Sequence, residues 1–237
     1  MATYLYCILN EPRDVPAALT GIDGAPVRSL DVTAPVAWVS DVSEVPVTPT
    51  VERLKAHDAV CAAALGAGET PLPVRFGQTF ADDGAVVVAI ASRRQALAQR
   101  LARVAGCVEL RVVASRQPAT SGSASGEFQE VQSREAPESA EGPGTAFLRE
   151  RAQSRRDELA RERWCEAIRR SIAGAAMACI VDQRPCEARR GLVYFPLLVR
   201  RADLDRCRAI IAASLPPAER PLAVLGPFPP YSFAGDA

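Results

Sequence analysis

The sequence has very little of several residue types that catalytic and nucleic-acid-binding sites use. It contains one histidine, His57, and one lysine, Lys55, and only 5% of its 237 residues are aromatic. Any Ser-His-Asp or Cys-His site would have to use His57, which lies beside Asp58 inside a predicted helix. We therefore interpret His57 as a structural residue. The 28 basic and 28 acidic residues leave no net charge, which gives no support for nucleic-acid binding.

Long hydrophobic runs and cysteine motifs are also missing. The longest strongly apolar stretches, 85–91 and 174–181, fall far short of the roughly 20 residues that cross a bilayer. The start of the chain, 1–6, lacks a basic region and a cleavage site, so we expect a cytoplasmic protein without a membrane span. The seven cysteines include no Cys-x-x-Cys pair, which favours buried free thiols over disulfides or a zinc site. No glycine-rich stretch has the pattern of a phosphate-binding loop, so no nucleotide cofactor is expected.

The first half of the chain alternates β-prone and helical patterns. Three short runs, 4–9, 27–32 and 36–42, predict strands. Thr50 is expected to cap one helix, and Asp82 and Asp83 precede a second one with a single apolar stripe, made of Val86, Ile90, Leu97, Leu101 and Val104. We assign the following run, 107–113, to the same sheet as the first strands. Residues 1–116 then form an α+β unit of ferredoxin-like type, with helices on one side of a mainly antiparallel sheet.

The composition changes over residues 117–143, which are rich in Ser, Gly, Pro and Glu. Such a segment buries too little apolar surface to offset its chain entropy, so we predict a flexible linker. A second α+β unit, rich in helix, is expected over 144–237.

The second unit opens with a long helical pattern that runs to about Ala176. Its apolar positions shift phase between Leu159 and Trp164, which indicates a kink, a break or two faces buried against different elements. A buried strand, 192–199, and a helix capped by Asp203 follow, and a closing strand is expected over 222–225.

The chain closes on a proline-aromatic segment, Gly226, Pro227, Phe228, Pro229, Pro230, Tyr231, Ser232 and Phe233. Proline removes a backbone donor, so we expect the closing strand to end before Pro227 and the tail to continue extended. Its rings either fold back to close the second domain or contact a partner. The spacing of Pro227 and Pro230 also matches a short ligand for proline-recognition domains.

A second proline-containing motif lies in the first half, Leu72, Pro73, Val74, Arg75, Phe76 and Gly77. In one interpretation it is a stiff crossover in which Phe76 packs inward, Arg75 forms a buried ion pair and Gly77 permits a turn. In the other it forms the lip of a partner-binding groove.

These two motifs together resemble the gas vesicle protein GvpL/GvpF family. The first strand with Tyr4 and Tyr6, the later strand with Glu109 and the helix opening at 144–148 follow in the order that this family shows. The family usually has tryptophan where Phe228 stands and tyrosine where Phe147 stands, and both replacements keep an aromatic ring. The resemblance covers nearly the whole chain.

The resemblance implies two α+β domains of modified ferredoxin-like topology, no enzymatic activity and no cofactor. It implies a minor structural component and assembly factor of gas vesicles, which binds the small hydrophobic shell protein and limits its aggregation during nucleation, together with other accessory proteins. We expect the shell protein to meet either an open sheet edge of the first domain or a groove between the domains.

Two other functions are compatible with the residues alone. A ferredoxin-like sheet can bind RNA through exposed aromatics, and Tyr4 and Tyr6 alternate onto one face of the first strand. An enzyme would have to combine His57 with a cysteine.

Overall fold

The described part of the chain is an α+β structure with two antiparallel sheets, each of five strands. The computed structural model describes residues 1–30, 35–115, 143–189, 192–214 and 223–235. The first sheet has the order β2-β3-β1-β4, with β5 also paired to β1. Its strands are β1 (Ala2–Leu9), β2 (Arg28–Leu30), β3 (Val36–Val42), β4 (Leu72–Pro73) and β5 (Thr79–Phe80).

Helices cover both faces of this first sheet. Tyr4 and Tyr6 pack with α1 (Val51–Gly66), whereas Leu5 and Ile8 pack with α2 (Asp83–Ser92) and α3 (Arg94–Val104). The prediction that helices lie on one side is therefore wrong for this sheet. The reason is visible in β1, which is apolar in both side-chain phases, a pattern typical of strands buried on two faces.

The predicted second helix is two helices. Thr50 and Asp82 cap α1 and α2 as expected, but α2 ends at Ser92 and α3 begins after Arg93, whose ψ of 13° is not helical. The apolar positions before and after Arg93 stay in phase with one continuous helix. The apolar stripe therefore contained no signal for the break.

The second sheet has the order β10-β6-β9-β7, with β8 also paired to β9. Its strands are β6 (Cys107–Ser115), β7 (Ile180–Gln183), β8 (Glu187–Arg189), β9 (Leu192–Arg200) and β10 (Ala223–Phe228). β6 pairs with β9 along its whole length, so our assignment of this strand to the first sheet is wrong. Sheet membership changes before Cys107 and not at residue 116; the division into domains itself stays a prediction.

Two helices cover one face of the second sheet, α4 (Pro143–Ala176) and α5 (Leu204–Ser214). Ile168 and Ile172 of α4 and Ile211 of α5 are buried against strand residues such as Leu110 and Phe195. α4 is continuous, so the phase shift after Leu159 is not a break. The predicted linker, 117–143, lies almost entirely outside the described residues.

The closing strand continues through Pro227, contrary to our expectation. A bulge makes this possible, because three steps of β10 from Leu225 to Phe228 span two steps of β6 from Arg111 to Glu109. β10 is also an edge strand, where a missing N–H costs no ladder bond on the open side. Gly226 has φ +121°, and a Cβ there would lie 2.7 Å from the carbonyl oxygen of Glu109, so only glycine fits.

Candidate partner-binding cleft

A cleft of about 1290 Å³ lies where α1, the segment 72–80, the α2–α3 pair and the end of the chain meet. Its lining is largely apolar and includes Leu5, Ile8, Leu72, Ile90 and Leu97. Leu54 on α1 is 46% exposed and also lines it. Arg75 and Arg93 are exposed charged residues of the same lining. The cleft is thus a hydrophobic surface bordered by basic groups.

The motif 72–77 forms one side of the cleft. Leu72 and Pro73 form β4 and are buried, and Phe76 is half-buried with its ring centroid 5.8 Å from that of His57. The Gly77 N–H donates to the Tyr4 hydroxyl at 3.0 Å, in a turn where φ of +89° favours glycine. Arg75 is exposed and forms no ion pair with another described residue, so the expected buried ion pair is wrong.

The proline-aromatic tail reaches the opposite side of the same cleft. After β10, Pro229 and Pro230 are buried, and the Tyr231 hydroxyl donates to Asp58 Oδ1 of α1 at 3.0 Å. Phe233 is 2% exposed and packs in the cluster that also holds Leu5 and Ile90. The tail therefore runs from the second sheet to the first. Its last two rings fold back, but onto α1 and the apolar cluster of the first sheet, so they do not close the second domain alone.

The earlier part of the tail lies away from the cleft. Pro227 is exposed, and Phe228 is half-buried with the Arg111 guanidinium 5.1 Å from its ring centroid. The carbonyl oxygen of Gly226 accepts a hydrogen bond from Arg208 of α5. Six residues of the two motifs thus meet in the cleft lining: Leu72, Pro73, Val74, Arg75, Phe76 and Tyr231.

A buried carboxylate anchors the tail. Glu109 of β6 has no exposed surface, and its two oxygens accept from Ser232 N at 2.8 Å, Ser232 Oγ at 3.0 Å and Arg111 Nε at 2.6 Å. Arg184 donates to the Ser232 carbonyl oxygen at 3.0 Å. These charge-assisted bonds fix the chain just before Phe233.

The sequence interpretation did not assign an anchoring role to Asp58, Arg184 or Ser232. Glu109 did carry a usable signal, because a carboxylate inside an apolar strand needs a buried partner. The identity of that partner is not local information, since Ser232 is 123 positions away along the chain.

A polar cluster connects the first sheet to α1 beneath the cleft. Tyr4 Oη lies 3.0 Å from His57 Nδ1, and Cys61 Sγ lies 3.9 Å from His57 Nε2. Burial raises the pKa of Tyr4 and of Tyr231, so both hydroxyls stay protonated over the physiological pH range.

The Cys61–His57 pair does not form an accessible catalytic site. Burial acts to raise the pKa of Cys61, but hydrogen bonds with Cys7 and His57 outweigh it and lower this pKa to about 6. A thiol of that kind is a nucleophile when a substrate can reach it. Cys61 has 0% exposed surface and does not line the cleft. The arrangement is consistent with a structural role for His57.

The described ranges lack two further features. They contain no group of three or more His, Cys, Asp or Glu side chains that would suit a metal ion. Within the same ranges, no helix combines the length and the apolar character needed to span a membrane.

A family model and two relatives give the same family. The family model described as "Gas vesicle synthesis protein GvpL/GvpF" matches residues 2–235. Gas vesicle protein F of Streptomyces sp. (strain CB03234) is 33% identical, covering 98% of this chain and 99% of that protein. Gas vesicle protein L of the same organism is 29% identical, covering 99% of this chain and 93% of that protein.

The fold agrees with solved structures of the same kind. The crystal structure of GvpF from Anabaena sp. PCC7120 superposes with a TM-score of 0.75 at 17% identity, covering 100% of this chain and 97% of that one. GvpF from Microcystis aeruginosa gives a TM-score of 0.71 at 17% identity, with 99% of each chain covered. The chain belongs to the GvpL/GvpF family of gas vesicle synthesis proteins.

Proposed function

We propose that this gas vesicle protein is an assembly factor and minor structural component that binds the small hydrophobic shell protein and limits its aggregation during vesicle nucleation. It acts in the cytoplasm and at the vesicle, without catalysis or a cofactor, and next to other accessory proteins. Its binding surface is the cleft bordered by the segment 72–80 and the tail.

The observation that carries this proposal is the meeting of the two family motifs at one apolar cleft. Arg75 and Phe76 come from one motif and Tyr231 from the other, and all three line it. Residues separated by more than 150 positions form one surface there. A hydrophobic cleft of this kind suits an apolar segment that would otherwise self-associate.

The cleft is a better candidate than an open edge of the first sheet. The edge strands of that sheet are short: β2 has three residues, and β4 and β5 have two each. Such edges offer few free backbone groups for an added strand. The cleft instead offers side-chain contacts along α1, α2 and α3.

The RNA-binding alternative depended on exposed tyrosines in β1. Tyr4 and Tyr6 are both 0% exposed and pack beneath α1. Rings in that position cannot stack on bases. The shell-protein proposal needs no such platform.

Co-expression with the small shell protein of gas vesicles tests the proposal. We expect the wild-type chain to keep the shell protein in the soluble fraction and to co-purify with it. Leu54→Glu places a charge on the cleft lining at an exposed position, so it should reduce co-purification at least ten-fold without unfolding the chain. Val88→Glu on α2 is the matched control, since Val88 is 68% exposed and does not line the cleft.

Two results would contradict the proposal in different ways. A shell protein that stays insoluble with the wild-type chain and fails to co-purify would refute binding itself. Equal loss of binding in the Leu54 and Val88 variants would refute the cleft as the binding surface.

A further inference from the structure

The first half of α4 is a long helical segment that the described residues leave uncovered. From Trp164 onward the helix packs on the second sheet through Cys165, Ile168 and Ile172. Over 147–163 every side chain is exposed except the half-buried Ala160, and Phe147 and Leu148 are 59% and 66% exposed. Helices in proteins gain most of their stability from packing an apolar face. This segment therefore presents a face for a contact outside the described core.

That face is defined by a regular seam. Leu148, Ala152, Arg155, Leu159 and Glu162 follow one another at spacings of four, three, four and three residues, which places them on one side of the helix. If the same spacing continued, the next seam residue would be Glu166, which directly follows the buried Cys165. Because successive residues of an α-helix are rotated by about 100°, the seam lies about 100° around the helix axis from the face that packs on the core. The phase shift between Leu159 and Trp164 is therefore the change from the seam to the face that packs on the second sheet.

The charges along the same segment are polarised. Residues 149–156 include four arginines and one glutamate, whereas 157–166 include four acidic residues and two arginines. Among the described residues, Arg151, Arg155, Glu158 and Glu162 have no ion-pair partner. The segment is therefore basic at its start and acidic further along.

Such a segment is complementary to a second copy of itself in the antiparallel direction. A two-fold axis brings residue i of one copy opposite residue j of the other and j opposite i. The basic start of each helix then faces the acidic part of its neighbour, which favours this pairing over a parallel one.

We propose that two copies of this chain associate through the seam as antiparallel α4 helices. Arg155 of each copy lies opposite Glu162 of the other, and the two Leu159 side chains meet near the two-fold axis. The contact is a few turns long and therefore belongs to the small, reversible class of interfaces, with a Kd on the order of 10 µM. This association is independent of the proposed cleft function.

Sedimentation velocity of the full chain, from about 1 to about 300 µM, covers the range of such interfaces. The wild type should change from monomer to dimer. Arg155→Glu and Glu162→Arg should each weaken the dimer at least ten-fold, because like charges then face each other. The double variant Arg155→Glu/Glu162→Arg should restore the dimer to within three-fold of wild type, since the pair is re-formed with opposite polarity.

Arg161→Glu is the control, because it makes the same charge change at an exposed position that faces away from the seam. It should leave the dimer within three-fold of wild type. Circular dichroism should show all variants folded. A wild-type chain that stays monomeric would overturn the proposal, as would a double variant that dimerises no better than the single ones.

Discussion

Glu109 combines two features at the residue scale, a fully buried charge and contacts to a distant part of the chain. Its carboxylate accepts from the Ser232 backbone and hydroxyl and from Arg111. A buried carboxylate is stable only when its acceptor sites are filled in this way. The tail and β6 therefore depend on each other.

Replacing Glu109 should destabilise the protein strongly. Glu109→Ala leaves the Ser232 N–H and the Arg111 guanidinium without their partner, and we expect it to lower the free energy of unfolding by about 3 kcal/mol. Glu11→Ala is the control, since Glu11 forms only an exposed pair with Arg13 at 3.5 Å and should cost under about 0.5 kcal/mol. Urea denaturation measures both, and similar losses would show that the Glu109 contacts do not hold the tail.

The two phenylalanines of the tail should differ in their contribution to stability. Phe233→Ala removes a ring that is 2% exposed, so it should cost about 3 to 5 kcal/mol through cavity formation. Phe228→Ala removes a half-buried ring beside Arg111 and should cost about 1 kcal/mol. Thermal and urea denaturation compare them. Equal, small losses would mean that the tail is not docked.

Asp83 should contribute to the dependence of stability on pH. Hydrogen bonding with Arg28 lowers the pKa of Asp83, and Thr3 adds a further bond to the same carboxylate. A carboxyl whose pKa is lower in the folded than in the unfolded chain stabilises the fold above about pH 4 and loses that effect as the pH falls through its folded pKa.

Asp83→Asn should therefore lower the free energy of unfolding at pH 7 and make less difference at pH 3. Urea denaturation of the two proteins at both pH values measures the difference. A gap between wild type and variant that stays constant from pH 7 to pH 3 would contradict this assignment.

At the scale of elements, α4 contains two halves with different roles. The half after Trp164 packs on the second sheet, whereas the half before it carries the exposed seam. The sequence pattern predicted the helix and its phase shift correctly. It did not distinguish among a kink, a break and two faces, because apolar spacing records which face is buried and not what covers it.

Two substitutions on α4 separate these halves. Ile168→Ala at a fully buried position should lower the free energy of unfolding by about 2 to 4 kcal/mol. Leu159→Ala, at a position that is 41% exposed, should change it by less than about 1 kcal/mol at micromolar concentration, where the monomer dominates. If Leu159→Ala costs as much as Ile168→Ala, the first half of α4 is packed within the monomer.

Local patterns predicted most of the individual elements. The first three strands, the Thr50 cap and the strand 192–199 are confirmed, since each has a periodic apolar pattern bounded by turn or capping residues. The short strands β4, β5, β7 and β8 were not predicted. Two to four residues carry too little alternation to be recognised.

At the scale of the whole molecule, the two sheets are joined by contacts that no local pattern contains. Thr70 donates to the Cys107 carbonyl oxygen at 3.1 Å, and Arg201 donates to that of Glu69 at 3.2 Å. Phe233 adds an aromatic ring between them. The sequence interpretation assigned β6 to the wrong sheet for the same reason. Its partner β9 lies more than 75 residues further along the chain, beyond the reach of any local pattern.

The cleft follows from this arrangement and is the basis of the proposed function. Its lining combines residues from the first sheet, from α1 to α3 and from the end of the chain. Some of these residues, such as Phe76 and Tyr231, belong to the two sequence motifs. Their meeting at one apolar surface is a property of the fold.

Site-specific photocross-linking tests whether the shell protein binds in the cleft. A photoreactive benzoylphenylalanine replaces Leu54 in the cleft or, as the control, Val88 outside it, and the chain is irradiated while co-expressed with the small shell protein. We expect a cross-link to the shell protein from position 54 and none from position 88. Absence of a cross-link at position 54, or equal cross-linking at both positions, would contradict binding of the shell protein in the cleft.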